Sequence, residues 1–403
     1  MQLNVKLAIL SRTIVSYAYG FTVVLFPLYL KKIGFSVPLV GITVFAAMVI
    51  NAALAVFAGM IADHYGRKYV LTALLLVFAL SASVTTLVTS PVLLALLAGF
   101  AGFTSGATGG PIGSGGPLGA VQTAIISEVS SRKEISQLLG IAAVLEMSFA
   151  MLGAFSITTA SYLGLSPYFL FYVAAALGFA SAIGSTFIRD MGIRSQKLVP
   201  SLSYKNVFRL SLPTIPCGLG SGLVIPLLSL WFKLRYNATA AEIGAVFGAM
   251  DLAMVAFTMV IPRLAPAVGR LKIIILTRVA SSLSFILMAF SPAFPIAGAF
   301  LVLRGAFAMG GMPVRQAFVM LNVHETERAT ANGSTSLSRN AASSVGAAIS
   351  GYAMREFATY LPLVGGVIAL FDPLLYYLMF KSQWGETRGV RFGPAVQGVA
   401  IHA

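Results

Sequence analysis

Residues 59–68 read Gly59-Met-Ile-Ala-Asp63-His64-Tyr65-Gly66-Arg67-Lys68. This short charged stretch stands between two runs, 40–62 and 69–90, that carry no charge at all. Each run holds about the ~20 residues that a helix needs to cross ~30 Å of hydrocarbon. The decapeptide therefore reads as a tight connection at a membrane edge. An altered copy, Pro266-Ala-Val-Gly269-Arg270-Leu-Lys272, occurs in the second half of the chain.

The surrounding composition agrees. Of 403 residues, 58% are apolar and 10% charged, and the mean hydropathy is +0.90. A soluble domain carries about 25% charged residues, so the bilayer is the expected solvent. Alternating segments of barrel type are absent from the pattern. The first apolar run, 7–30, is too long for a signal-peptide core, and no cleavable leader is expected. Cys217 is the sole cysteine, which leaves no intrachain disulfide. The net charge of +15 alternates with apolar runs rather than forming one face, so it marks topology and not nucleic-acid binding.

Twelve spans are expected, near 7–30, 40–62, 69–90, 92–127, 136–159, 167–188, 207–231, 241–262, 272–291, 295–322, 332–353 and 361–380. With the N-terminus inside, eighteen Lys and Arg residues fall on inner segments and five on outer ones. The positive-inside rule then makes both termini cytoplasmic, and the plasma membrane is the expected location. The chain divides into a bundle over 1–188, a basic cytoplasmic linker over 189–206, a second bundle over 207–381 and a tail over 382–403. The halves echo one another: Pro27 and Pro226, Gly41 and Gly244, Gly66-Arg67 and Gly269-Arg270, Pro117 and Pro313, Arg132 and Arg328. The offsets fall from 203 to 196 between Arg67 and Pro117, so the first half carries seven extra residues there. Parallel repeats place a transport site between the halves near the midplane.

The loop at 59–68 resembles the signature Gly-x-x-x-Asp-Arg-x-Gly-Arg-Lys/Arg of the major facilitator superfamily, with His64 in place of the usual Arg. The second copy has Pro266 where Asp63 would stand. The resemblance covers the whole chain and implies an all-α membrane fold of twelve transmembrane helices in two pseudo-symmetric six-helix bundles. It implies a conformational switch formed by Gly59, Asp63, Gly66, Arg67 and Lys68, with Glu128 at the end of helix 4 as their partner. Gly59 would let helix 2 approach a neighbour closely. The family arrangement puts helices 1, 4, 7 and 10 around a central cavity and helices 2, 5, 8 and 11 between the halves.

Ionisable groups inside a bilayer cost about 2.5–3.5 kcal/mol each on insertion scales and need a reason. Glu146, Asp251, Arg304, Arg339 and Asp372 lie deep in their spans. Arg12, Arg278 and Arg315 are nearer the inner ends and are expected to snorkel. Asp251 first and Glu146 second are the expected proton-coupling carboxylates, with a structural Asp251–Arg304 pair as the alternative. Asp372 is expected to be structural. Arg12, Ser16 and Tyr19 recur at helical spacing, as do Ser336, Arg339 and Ser343. With Arg304 and Gln122, the residues Arg12, Ser16, Tyr19 and Arg339 are the substrate-cavity candidates. Arg304 and Arg315 share one helix face and would suit an anion.

The uncharged stretch 92–127 would be about 54 Å long as one helix. Within it, Gly106–Pro117 reads GATGGPIGSGGP. A broken helix is expected there, with the backbone of Gly109, Gly110, Gly113, Gly115 and Gly116 open to the pathway. It is not a phosphate loop, because Gly116-Pro117 follows where Lys-Ser/Thr is required. The expected function is secondary active transport of a small organic solute, coupled to protons or another ion, by a chain acting as a monomer without cofactor or metal. Antiport export of drug-like or organic compounds is placed ahead of uptake of a sugar, organic acid or other metabolite. The absence of a Gly-Pro motif in helix 5 counts against export. A membrane-embedded enzyme is the remote alternative, since no catalytic or metal motif is present.

Overall fold

The computed structural model describes residues 3–104, 116–129, 132–188, 204–322 and 328–381. It is all helical. The first part contains α1 (Leu3–Lys32), α2 (Val37–Tyr65), α3 (Arg67–Thr85), α4 (Pro91–Ala101), α5 (Gly116–Val129), α6 (Arg132–Tyr162) and α7 (Leu170–Ser185). The second contains α8 (Tyr204–Ser211), α9 (Thr214–Val224), α10 (Leu228–Tyr236), α11 (Ala240–Val268), α12 (Arg270–Ala289), α13 (Phe294–Gly310), α14 (Met312–Leu321), α15 (Arg328–Phe357), α16 (Leu361–Ala369) and α17 (Phe371–Phe380).

Ten stretches among the described residues are long and apolar enough to cross a membrane, and Pro91–Ala101 and Gly116–Ile126 are shorter apolar helices. One of the ten, Ser334–Phe380, spans 47 residues. It doubles back on itself: Gly346 packs on Leu219 of α9, and Gly365 on the adjacent Gly220. The chain is an integral, multi-pass membrane protein.

Glycines set the repeat. In the first bundle, a Cβ at Gly20 would overlap the Ala150 carbonyl, and one at Gly153 the Tyr17 carbonyl. In the second, Gly222 meets Ser343 and Gly346 meets Leu219 in the same way. Gly20 to Gly222 and Tyr17 to Leu219 are both 202 residues. Ala150 to Ser343 and Gly153 to Gly346 are both 193. The α1–α6 and α9–α15 crossings are thus one motif used twice, with backbones in direct contact. Without a hydrophobic drive between helices in lipid, such close approach carries much of the packing energy. The 202 register also separates Pro27 from Pro226, which the sequence pattern had matched at 199.

The connection after α2 is repeated as well. Gly66 has φ 105° and ψ 133°, and Gly269 has φ 100° and ψ 137°. Each amide donates to the alanine four residues back, Ala62 or Ala265. An L-side chain rarely adopts that backbone, which explains why the motif keeps glycine there in both copies.

The bundles meet along α2–α15 and α6–α11. Gly41 lies against Gly351, and Gly244 against Ala154 and Ile157. Thr158 Oγ1 donates to the Ala241 carbonyl at 2.8 Å, and a Cβ at Gly351 would sit 3.0 Å from the equivalent Pro38 carbonyl. These contacts are symmetry mates at offsets of 203 and 193. All of them lie at the end of the molecule away from the termini. Toward the other end, a Cβ at Gly59 on α2 or Gly140 on α6 would meet nothing within 4 Å among the described residues. Gly59, expected to make a close approach, makes none among the described residues. It is Gly41, on the same helix, that makes the close approach.

Candidate functional site

The helix expected to break in the Gly-rich stretch ends earlier than expected. Gly102 caps α4 in the left-handed conformation, φ 73°. Helix ends leave carbonyls without intrahelical donors, and in a membrane these need partners. Tyr19 Oη donates to the Ala101 carbonyl at 3.0 Å, and Asn51 Nδ2 to the Gly99 carbonyl at 3.0 Å. Tyr19, expected on the cavity wall, thus holds the end of α4. The next described helix, α5, begins at Gly116, φ 89°. Gly109, Gly110, Gly113 and Gly115 lie outside the described residues. A comparable interruption occurs at Gly311, between α13 and α14.

In the first bundle several buried polar groups pair with one another. Arg12 Nε forms an ion pair with Glu146 Oε1. Both are buried, Glu146 completely. Arg12 also donates to Thr123 Oγ1 at 2.9 Å. Gln122 Nε2 donates to Ser11 at 3.1 Å, and Ser16 bonds back to the Arg12 carbonyl at 2.9 Å. Arg12 does not snorkel; it turns into the bundle because a carboxylate waits there. Arg67 Nη1 donates to the Ala124 carbonyl at 2.9 Å, in the last part of α5. A cation at a helix C-terminus is favoured by the dipole as well as the hydrogen bond. The Asp63 and Glu128 side chains, expected as the remaining switch groups with Lys68, lie outside the described residues.

Asp251 occupies the seam. It follows Gly244 and Gly248 on one face of α11, the face that meets Ala154, Phe155 and Ile157 of α6. Its exposure is 3%, and among the described residues it has no ion pair or side-chain hydrogen bond. The expected alternative pairing with Arg304 does not occur. Arg304 Nη2 instead donates to Ser221 at 3.2 Å, and its guanidinium lies over the Phe285 ring, 4.7 Å from the centroid.

The second bundle holds a cluster that sequence reasoning divided wrongly. Arg278 and Arg315 were expected to snorkel, yet both are buried, as are Arg304, Arg339 and Asp372. Arg278 Nε lies 3.4 Å from Asp372 Oδ2, and its Nη1 donates to Cys217 Sγ at 2.9 Å. Arg315 Nη2 and Arg339 Nη1 both reach Met312 Sδ, at 3.2 and 3.8 Å. Distance from a helix end gives the depth of a residue, but not the direction it faces, and that direction is what the sequence pattern lacked.

The sequence profile of the Major Facilitator Superfamily matches residues 210–393. The match lies in the second half of the chain. Solved structures extend the likeness to the first half. A crystal structure of the nucleoside transporter NupG with a point substitution matches with TM-score 0.76 at 14% identity, over 94% of this chain and 100% of that one. A D-xylose-proton symporter matches with TM-score 0.71 at 13% identity, over 96% and 100%. A bacterial homologue of the human lysosomal transporter Spinster, inward-facing and occupied, matches with TM-score 0.70 at 13% identity, over 96% and 98%. No curated protein matches the sequence. All three of these solved structures are of transporters.

Proposed function

We propose that this chain is a secondary active transporter that moves a small organic solute by alternating access and couples the movement to protons. The observation that carries the reading is the one-ended seam. Symmetry-related contacts join the bundles at Gly41–Gly351 and Gly244–Ala154, while Gly59 and Gly140 have open space around them at the other end. Two rigid bodies joined at one end have a second arrangement available in which the joined end opens and the other closes.

With both termini cytoplasmic, this state faces inward. Asp251 is the coupling carboxylate of this proposal. It is buried where the bundles must slide or part, and no cation holds it ionised. Glu146 is paired with Arg12 inside one bundle, so its role here is structural. The switch loop acts through Gly66 and Arg67, which fix the turn and the end of α5, with Gly59 free to pack when the halves close at that end.

The test uses proteoliposomes containing the purified chain and an internal pH indicator. A panel of nucleosides, D-xylose and small organic acids is added under opposite pH gradients. A solute-dependent proton movement is expected, and its sign separates export by exchange from uptake. Solute counterflow with no proton movement in either gradient would refute the coupling. A steady conductance without counterflow would refute the carrier mechanism itself.

A further inference from the structure

The interior of the second bundle is strongly cationic. Arg278, Arg304, Arg315 and Arg339 are each more than nine-tenths buried, and Asp372 is the one carboxylate that hydrogen-bonds or pairs with any of them among the described residues. Asp372 is taken up by Arg278. Among the described residues it hydrogen-bonds neither Arg315 nor Arg339. Asp251 is in the seam, buried on the α11 face that meets α6, and forms no ion pair with any of these arginines among the described residues.

The two remaining neighbours, Arg315 and Arg339, converge on a thioether sulfur, a weak acceptor. Among the described residues, Arg315 Nη1 and Arg339 Nε have no hydrogen-bond partner, nor does Arg304 Nε. Buried charges are ordinarily paired, so two guanidinium groups aimed at one sulfur leave an acceptor site unfilled.

The repeat shows that this is a property of the site and not of the fold. Glu146 and Arg339 are 193 residues apart, the spacing of the α6–α15 register, so they occupy equivalent places. Arg12 and Thr214 are likewise equivalent at 202. The first bundle puts Arg against Glu there and is neutral. The second puts Arg339 where the acid was, and Thr214 where its partner was. Thr214 Oγ1 is committed to the carbonyls of Ser211 and Thr335. The second bundle therefore supplies a cation at the position where the first has a closed pair.

We propose that the transported solute is a small organic anion, and that its carboxylate is held between Arg315 and Arg339 beside Met312. Arg304, expected earlier as the partner of Arg315, is turned away to Ser221 and Phe285 and lies at the margin of the site. The guanidinium fork suits a carboxylate in a bidentate way. This proposal rests on the transport reading above, because it names the class of solute for the same site.

The test is thermal unfolding of the full-length protein in detergent, titrated with succinate and benzoate at constant ionic strength. Glucose and tetramethylammonium serve as neutral and cationic comparisons. Succinate or benzoate is expected to raise Tm with a saturating dose dependence. Arg315→Gln and Arg339→Gln are expected to weaken the apparent affinity at least tenfold, while Arg355→Gln, at an exposed position, leaves it unchanged. Should either glutamine variant fail to fold, Arg339→Lys keeps the charge, loses the fork, and is expected to weaken the response. Equal stabilisation by glucose, or an anion response unaltered in both arginine variants, would overturn the proposal.

Counterflow of labelled succinate and labelled D-xylose separates this idea from the one it rests on. Arginine-dependent anion binding without counterflow of either solute counts against transport and leaves the anion site standing. Counterflow of D-xylose that Arg339→Gln does not alter counts against the anion site and leaves transport standing.

Discussion

Removing the carboxylate of Glu146 tests whether the first bundle is held by a buried ion pair. Glu146 is fully buried and pairs with Arg12, whose own exposure is 6%. In Glu146→Gln, Arg12 would keep its bond to Thr123 but would be a buried cation without a counter-charge. Breaking a buried pair from one side costs about 3–5 kcal/mol, whereas replacing both members with apolar side chains is often neutral or better. Arg12→Met should cost a similar amount. Arg12→Met/Glu146→Leu should return to within about 1 kcal/mol of the parent. The assay is reversible unfolding in mixed micelles, followed by far-UV circular dichroism, with all four proteins forming one cycle. Two single variants that each lose less than about 1 kcal/mol, with no coupling between them, would show that the pair does not hold the bundle.

Other expectations follow from the same geometry. Asp251→Asn should abolish the response of solute flux to a pH gradient while counterflow persists, both measured in proteoliposomes; unchanged proton-driven accumulation would remove Asp251 from the coupling. Gly20→Ala should destabilise the chain by about 1–3 kcal/mol, because its Cβ has no space beside Ala150. Gly59→Ala should shift unfolding by no more than about 0.5 kcal/mol, as a methyl group there meets open space. Gly66→Ala should cost about 1–3 kcal/mol through the strained φ of 105°, and a stability equal to the parent would contradict the turn assignment.

Much of the architecture is legible in the sequence because lipid imposes simple rules. Length and apolarity mark the spans, and the charged loop at 59–68 with its echo at 266–272 marks the repeat. The register of the repeat was less accessible. The 202 and 193 offsets emerge only from which backbones touch, and they decide that Glu146 corresponds to Arg339. The polar stripe on α1 was visible, but its uses were not: Tyr19 bonds to a helix end and Ser16 to its own helix. Arg278 and Arg315 were misjudged for a related reason. Each stands near the inner end of its expected span, and nothing in the local sequence tells that Arg278 pairs with Asp372 or that Arg315 reaches Met312. The stretch expected to break the fourth span, Gly106–Pro117, lies outside the described residues up to 115; α4 ends before it, at Gly102, where Tyr19 and Asn51 bond the carbonyls of Ala101 and Gly99.

The central claim is that the two bundles exchange a junction at one end for a junction at the other. Spin-label distances at both ends of one preparation test it most directly. One label pair replaces Ile141 on α6 and Leu264 on α11, toward the termini; the other replaces Leu87 and Tyr360, at the far end, all exposed positions. Across a change of pH, the account predicts that the distance at Ile141–Leu264 shortens as that at Leu87–Tyr360 lengthens. Distances that stay fixed at both ends, or that change together in the same direction, would contradict it.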